Sequence, residues 1–152
     1  MESRAVTTEV LMPAIKELID SGKTVKLTIT GNSMLPLLRH EIDVVELSAF
    51  TGEVHYGDML LIKRDDSVYV LHRVISLDNV LKTFFLVGDA QVTVEGPLRF
   101  DQIIAKVVAF HKNEKRVEVT NLVYKSYVKF WMKIRRYRPR ILSILRKLRI
   151  IP

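Results

Sequence analysis

Turn-forming residues divide residues 23–120 into short apolar runs, and this pattern limits the fold more than any other feature. Short runs rich in Val, Ile, Thr and aromatic residues, bounded by Gly, Asp, Asn or Ser, are typical of β-strands. The runs that predict strands are 25–30, 43–47, 59–64, 68–75, 81–87, 103–111 and 116–120. We therefore predict a mainly β domain over residues 23–120, built from short strands joined by turns.

The chain has 152 residues, enough for one domain with a substantial core. It contains no Cys, which excludes a disulfide-stapled fold and a thiolate site. Residues 1–22 predict a short helix packed on the β domain, with Pro13 in its first turn and Gly22 after its end. The apolar residues at helical spacing are Val10, Leu11, Ile15, Leu18 and Ile19. Charged residues interrupt this segment, so we expect neither a signal peptide nor a transmembrane segment.

The segment 31–36, Gly-Asn-Ser-Met-Leu-Pro, follows the first predicted strand directly. Gly31 tolerates backbone dihedrals that other residues avoid, and Pro36 fixes its own φ, so a sharp turn is expected here. A Ser held on such a turn at the end of a strand has the exposure that a nucleophile needs, which makes Ser33 a candidate. Ordinary turn chemistry explains the same residues and stays open as an alternative.

An alcohol becomes a good nucleophile only when a base removes its proton, and His titrates near neutral pH. His72 lies in the predicted strand 68–75, from which it can face Ser33. The alternative is that His72 is an ordinary strand residue.

Four motifs occur in a characteristic order: G-x-S-M-x-P at 31–36, Gly-Asp at 57–58 before an apolar strand, His-Arg-Val at 72–74 and Gly-Asp-Ala at 88–90. In this order and spacing, residues 25–110 resemble the superfamily of type I signal peptidases and LexA-like serine peptidases. The resemblance implies the signal-peptidase/LexA-like β fold, Ser33 as nucleophile and His72 as general base. His at this position is similar to the endoplasmic-reticulum and archaeal kind, whereas bacterial signal peptidases and LexA-like proteins carry Lys.

The resemblance also implies a third catalytic group and an oxyanion hole. Asp89 and Glu95 are both candidates for the acid that orients the His, and the sequence does not choose between them. The oxyanion hole would consist of the backbone N–H groups of Asn32, Ser33 and Met34. We expect no metal and no cofactor, because the remaining histidines lack ligand spacing and no phosphate-binding glycine motif is present.

Residues 121–152 contain ten basic residues and no acidic ones, although the whole chain has a net charge of only +7. The pattern predicts two basic amphipathic helices separated at Pro139. The apolar face predicted for the first helix is Val123, Tyr127, Phe130, Trp131, Ile134 and Tyr137. Such a tail is typical of an anchor at an anionic membrane surface, dispensable for cleavage of short peptides. A helix packed on the β domain and, less favoured, a nucleic-acid-binding tail are the alternatives.

Taken together, these features predict a signal-peptidase-like serine endopeptidase. The resemblance implies cleavage of a signal, leader or precursor peptide after small residues. We expect a peripheral membrane protein on the cytoplasmic face. Two alternatives remain: a LexA-like self-cleaving DNA-binding regulator, and an inactive module that binds peptides or acts as a membrane adaptor.

Overall fold

The structure, a computed structural model, describes residues 8–152. The elements are α1 (Thr8–Asp20), β1 (Val25–Thr28), β2 (Val44–Ser48), β3 (Met59–Lys63), β4 (Tyr69–Asp78), β5 (Thr83–Val87), β6 (Glu95–Arg99), β7 (Ile103–Lys112), β8 (Lys115–Glu118), α2 (Leu122–Lys133) and α3 (Arg138–Lys147). All strand pairs are antiparallel, in the order β1-β2-β7-β3-β4-β5-β6, and β8 pairs with β7. The prediction of a mainly β domain is confirmed.

Register shifts interrupt four strand pairings and allow the sheet to bend. They lie at Glu46/Leu47, Leu61/Ile62, Val74/Ser76 and Phe84/Leu86. Irregularities of this kind increase strand twist. A sheet with several of them therefore curls, and it can enclose side chains on both faces.

The two faces of β3 contribute to two separate hydrophobic clusters. Met59 and Leu61 belong to the larger cluster, which α1 and α2 cover. Leu60 and Ile62 belong to the smaller one on the opposite face. This strand is therefore buried on both sides, which explains why its sequence is continuously apolar instead of alternating.

The predicted N-terminal helix is present, but its buried face differs from the predicted one. Met12, Ile15 and Ile19 are buried against the larger cluster, whereas Val10, Leu11 and Leu18 are exposed. The buried residues follow the spacing i, i+3, i+7, which places them on one side of a helix. The part of the predicted segment before residue 8 lies outside the described residues.

The basic tail forms two helices, and the first packs on the β domain. Asn121 caps α2 by accepting hydrogen bonds from the backbone N–H groups of Val123 and Tyr124. The buried residues of α2 are Tyr124, Val128, Trp131 and Met132. The prediction of a single membrane-binding apolar face is wrong in part, because Trp131 is buried against the β domain while Val123, Phe130 and Tyr137 are exposed. Apolar residues lie on both sides of this helix, and only the sheet determines which side is covered.

Pro139 begins the second tail helix instead of ending the first. It occupies the first turn of α3, where a missing N–H breaks no helical hydrogen bond. The interruption lies earlier, in the 3₁₀ turn at residues 135–137. Among residues 8–152, no helix combines the length and apolarity required to cross a bilayer.

Candidate active site

The turn that carries Ser33 begins where β1 ends, and buried side chains anchor it. Gly31 has a φ of 83°, the left-handed conformation expected from the sequence. Its backbone N–H donates to Nδ1 of His40 at 2.8 Å, which ties the start of the turn to the chain that follows. The side chains of Met34 and Leu35 are buried, while Ser33 itself is half-buried at the surface.

His72 lies in the middle of β4, opposite Leu60 of β3. The residue is 6% exposed, and its Nδ1 is enclosed without a hydrogen-bond partner among the described residues. Burial lowers the pKa of the imidazole below its ordinary value; nearby Glu95 opposes this shift and Arg64 adds to it. A His with a lowered pKa is neutral at neutral pH and can accept a proton.

Ser33 and His72 line the same cleft, which has a volume of about 310 Å³. The Ser33 turn forms one wall, and residues 69–72 at the start of β4 form the other. Apolar side chains that line the rest are Met12, Leu27, Ile29, Met34, Leu61 and Leu71. The structure therefore brings together two residues that are 39 positions apart in the sequence.

Glu95 is the carboxylate beside His72. It is the first residue of β6, where it pairs with Leu86 of β5, and its Oε2 lies 4.0 Å from Nδ1 of His72. Both Glu95 oxygens also accept hydrogen bonds from Arg64, at 2.5 and 2.6 Å. Glu95 is thus close enough to act on the imidazole electrostatically, while both of its carboxylate oxygens are hydrogen-bonded to Arg64.

Asp89 lies in the core and pairs with a different partner. Its two oxygens accept hydrogen bonds from Nε and Nη2 of Arg73, each at 2.7 Å, and both side chains are fully buried. Arg73 also donates to the carbonyl of Gly57 and the hydroxyl of Tyr124. Of the two candidate acids, Asp89 therefore forms the buried ion pair and Glu95 faces the imidazole.

Three consecutive backbone N–H groups around Ser33 are unpaired in the described part of the chain. Within residues 8–152, the N–H groups of Asn32, Ser33 and Met34 have no hydrogen-bond acceptor. The carbonyl of Ser33 is paired, because it accepts a hydrogen bond from the N–H of Ala90 at 2.8 Å. Gly88 makes this approach possible, since a Cβ there would lie 2.7 Å from the Ser33 carbonyl oxygen.

The remaining histidines have other neighbours. His111 Nε2 lies 2.6 Å from a Glu46 oxygen, and Arg116 donates to the same carboxylate. Among residues 8–152, no three His, Asp or Glu side chains are grouped as metal ligands.

Three residues near the site were not predicted from the sequence: Arg64, Trp131 and Arg138. Arg64 follows β3 in a turn, where a basic residue carries no functional signal. Trp131 and Arg138 belong to the tail, whose sequence pattern predicts a membrane-facing surface and no contact with the site. Both contact the 88–91 turn next to Ser33. Only the tertiary structure reveals these contacts.

No protein-family model matches the chain, and neither a curated protein nor a solved structure matches it. The interpretation of the cleft therefore depends on its own residues.

Proposed function

We propose that the protein is a serine endopeptidase of the signal-peptidase-like kind, with Ser33 as nucleophile and His72 as general base. The observation that carries the proposal is the convergence of Ser33 and His72 on one cleft, with a carboxylate behind the imidazole. The order of the four sequence motifs supports the same assignment.

In the proposed reaction, His72 accepts the proton of the Ser33 hydroxyl as its oxygen attacks the scissile carbonyl carbon. Because Nδ1 is enclosed and faces Glu95, Nε2 is the ring nitrogen available to Ser33. The oxyanion that forms accepts hydrogen bonds from the free N–H groups of residues 32–34. The imidazolium then protonates the leaving amine, and a water molecule activated by His72 hydrolyses the acyl-enzyme.

The substrate we propose is an extended peptide from a signal, leader or precursor sequence. β1 is an edge strand of the sheet, and residues 27–30 line the cleft, so a peptide strand can pair beside them. The apolar lining of the cleft favours apolar side chains over charged ones near the scissile bond.

A serine-reactive fluorophosphonate tests this proposal. We expect covalent labelling of Ser33 in the wild-type protein and its loss in Ser33→Ala. The matched control is Ser126→Ala, which changes an exposed Ser on α2. Folding should be unaffected, since deleting a half-exposed hydroxyl changes stability by about 0.5 kcal/mol or less. A wild-type protein that the probe does not label would contradict the peptidase and support an inactive binding module.

We also propose that the outer face of the tail binds an anionic membrane surface. The exposed cations of this face include Lys125, Lys129, Lys133, Arg136, Arg146, Lys147 and Arg149. Exposed apolar side chains lie among them: Leu122, Val123, Phe130, Tyr137, Ile144, Leu148 and Ile150. Near an anionic leaflet each Lys or Arg contributes up to about 1 kcal/mol, and apolar side chains can enter the interface.

Vesicle co-sedimentation tests this surface. The full-length protein should bind phosphatidylserine vesicles, and binding should weaken with salt because the Debye length shortens. The double variant Lys129→Glu, Lys133→Glu should bind less. Its control, Lys23→Glu with Lys26→Glu, changes the charge equally at two exposed residues outside the tail. Equal loss in both variants, or no binding by the wild type, would contradict the proposal. Preference for a DNA duplex over vesicles would identify a nucleic-acid surface instead.

A further inference from the structure

The tail contacts the active-site region with side chains on its inner face. Arg138, the first residue of α3, is fully buried although it is charged. Its Nη1 donates to two carbonyl oxygens, that of Gly88 at 3.0 Å and that of Gln91 at 3.1 Å. These two residues begin and end the turn between β5 and β6 that approaches Ser33.

Trp131 holds the same turn at its centre. Its indole Nε1 donates to the carbonyl of Asp89 at 2.9 Å. The guanidinium of Arg138 lies 5.3 Å from the indole ring centroid and donates to the Trp131 carbonyl as well. Two tail side chains therefore bind three of the four carbonyl groups in residues 88–91.

The 88–91 turn is itself bound to the Ser33 turn. The N–H of Ala90 donates to the Ser33 carbonyl, and Gln91 and Ser33 line the same cleft. Leu35, two residues after Ser33, is buried in a cluster with Trp131, Leu142 and Ile151 of the tail. Both the backbone and the anchoring side chain of the Ser33 turn thus depend on contacts made by residues 121–152.

A buried guanidinium requires acceptors for its donors, because transfer of an unpaired charge out of water is strongly unfavourable. Burial lowers the pKa of Arg138, yet the group stays protonated because arginine is charged throughout the accessible pH range. Its acceptors are neutral: three carbonyls and the sulfur of Met132. The planar fork reaches both Gly88 and Gln91 on one side and Trp131 on the other, which a lysine ammonium cannot do.

We propose that Arg138 and Trp131 are positioning residues that fix the 88–91 turn, and through it Ser33, in the geometry required for nucleophilic attack. This inference rests on the proposed peptidase function. It also changes the expectation for the tail: removal of residues 122–152 inactivates the cleft instead of releasing an active domain.

The test compares Arg138→Lys and Trp131→Phe in the full-length protein with the control Arg140→Lys. Arg140 is exposed and lies two residues from Arg138 on α3. The first measurement is the fluorophosphonate labelling rate per folded molecule, well below the melting temperature. The second is hydrogen exchange of the Ala90 amide, which donates to Ser33. Trp131→Phe keeps an aromatic ring while it removes the indole donor and part of the ring volume, and it decides the question if Arg138→Lys does not fold.

We expect Arg138→Lys to label about tenfold more slowly or worse, since small displacements of a nucleophile reduce rates strongly. Trp131→Phe should slow labelling in the same direction, and Arg140→Lys should match the wild type. The pH midpoint of labelling should not move, because Arg138 has no contact with His72. The exchange of Ala90 should accelerate in both tail variants.

A lower melting temperature with an unchanged labelling rate per folded molecule would assign Arg138 a purely structural role and overturn the inference. Failure of the proposed function has a different signature, because the wild type would then not be labelled at all. In that case Ala90 exchange decides whether the tail positions the turn: acceleration supports the positioning role, and unchanged exchange overturns it.

Discussion

Two isosteric substitutions, Asp89→Asn and Glu95→Gln, should separate stability from catalysis. Each replaces a carboxylate by an amide of the same shape and leaves an arginine partner behind. Asp89 and Arg73 are both fully buried, whereas Glu95 and Arg64 have side chains that are 27% and 34% exposed. The same chemical change therefore acts in two different dielectric environments.

Asp89→Asn should destabilise the fold strongly. Arg73 would keep its charge without a carboxylate partner, and removing one member of a buried ion pair costs about 3–5 kcal/mol. For a domain of this size that corresponds to a fall in Tm of about 6–20 °C. At 25 °C a protein with ordinary stability would remain largely folded, so its activity can still be measured.

Glu95→Gln should have the opposite profile. A partly exposed ion pair contributes about 1 kcal/mol or less, because water solvates Arg64 once the carboxylate is lost. The labelling rate should nevertheless fall by about 10²-fold or more, since the imidazolium that forms in the reaction loses the negative charge beside its Nδ1.

Urea unfolding followed by Trp131 fluorescence gives the stability of each variant. Trp131 is the only tryptophan and is buried, so its emission reports loss of tertiary structure. The labelling rate of the folded fraction gives the effect on the site. A stable but inactive Asp89→Asn variant would make Asp89 the catalytic acid. A fully active Glu95→Gln variant would reduce the site to a Ser33–His72 dyad.

Two further predictions concern the cleft. The labelling rate should rise with pH through a midpoint below the ordinary His value of about 6.5 and stay level above it, because burial lowers the pKa of His72 and only the neutral imidazole accepts a proton. Glu95→Gln should move this midpoint to lower pH, because it removes a charge that raises the pKa of His72. Arg64→Gln should move it to higher pH, because it removes a charge that lowers the same pKa. A labelling rate that rises only near about pH 9 would instead identify a lysine base. Gly88→Ala should slow labelling of the folded protein beyond what any fall in Tm explains, because the added Cβ would displace the Ser33 carbonyl oxygen. A labelling rate equal to that of the wild type would show that the turn accommodates the methyl group.

The sequence predicts those elements whose signals are local. The hairpin of β3 and β4 matches its predicted bounds closely, because the turn residues 65–67 lie between two apolar runs. β6 was not predicted: its sequence Glu-Gly-Pro-Leu-Arg has no alternation and contains a proline, and it forms an edge strand only because β5 pairs with it.

The candidate site divides in the same way. Ser33 and His72 lie in recognisable local motifs, so both were candidates before their convergence was known. The choice between Asp89 and Glu95 depends on which carboxylate lies beside His72 and which pairs with the buried Arg73. Both contacts join distant parts of the chain. The roles of Arg138 and Trp131 depend on which side of a helix meets the sheet. Charge patterning predicted the outer side of the tail and carried no information about the inner side.

The cluster of Leu35, Trp131, Leu142 and Ile151 also has a consequence for biosynthesis. A ribosome releases the chain from its N-terminus, so Ser33 and His72 emerge before the helices that hold the Ser33 turn. Contacts between such distant positions are also among the last to form, because the long loop between them must close first. If the tail positions Ser33 as inferred, a nascent chain displays Ser33 while the geometry proposed for hydrolysis is incomplete. Synthesis of residues 121–152 then becomes the step that completes the proposed site.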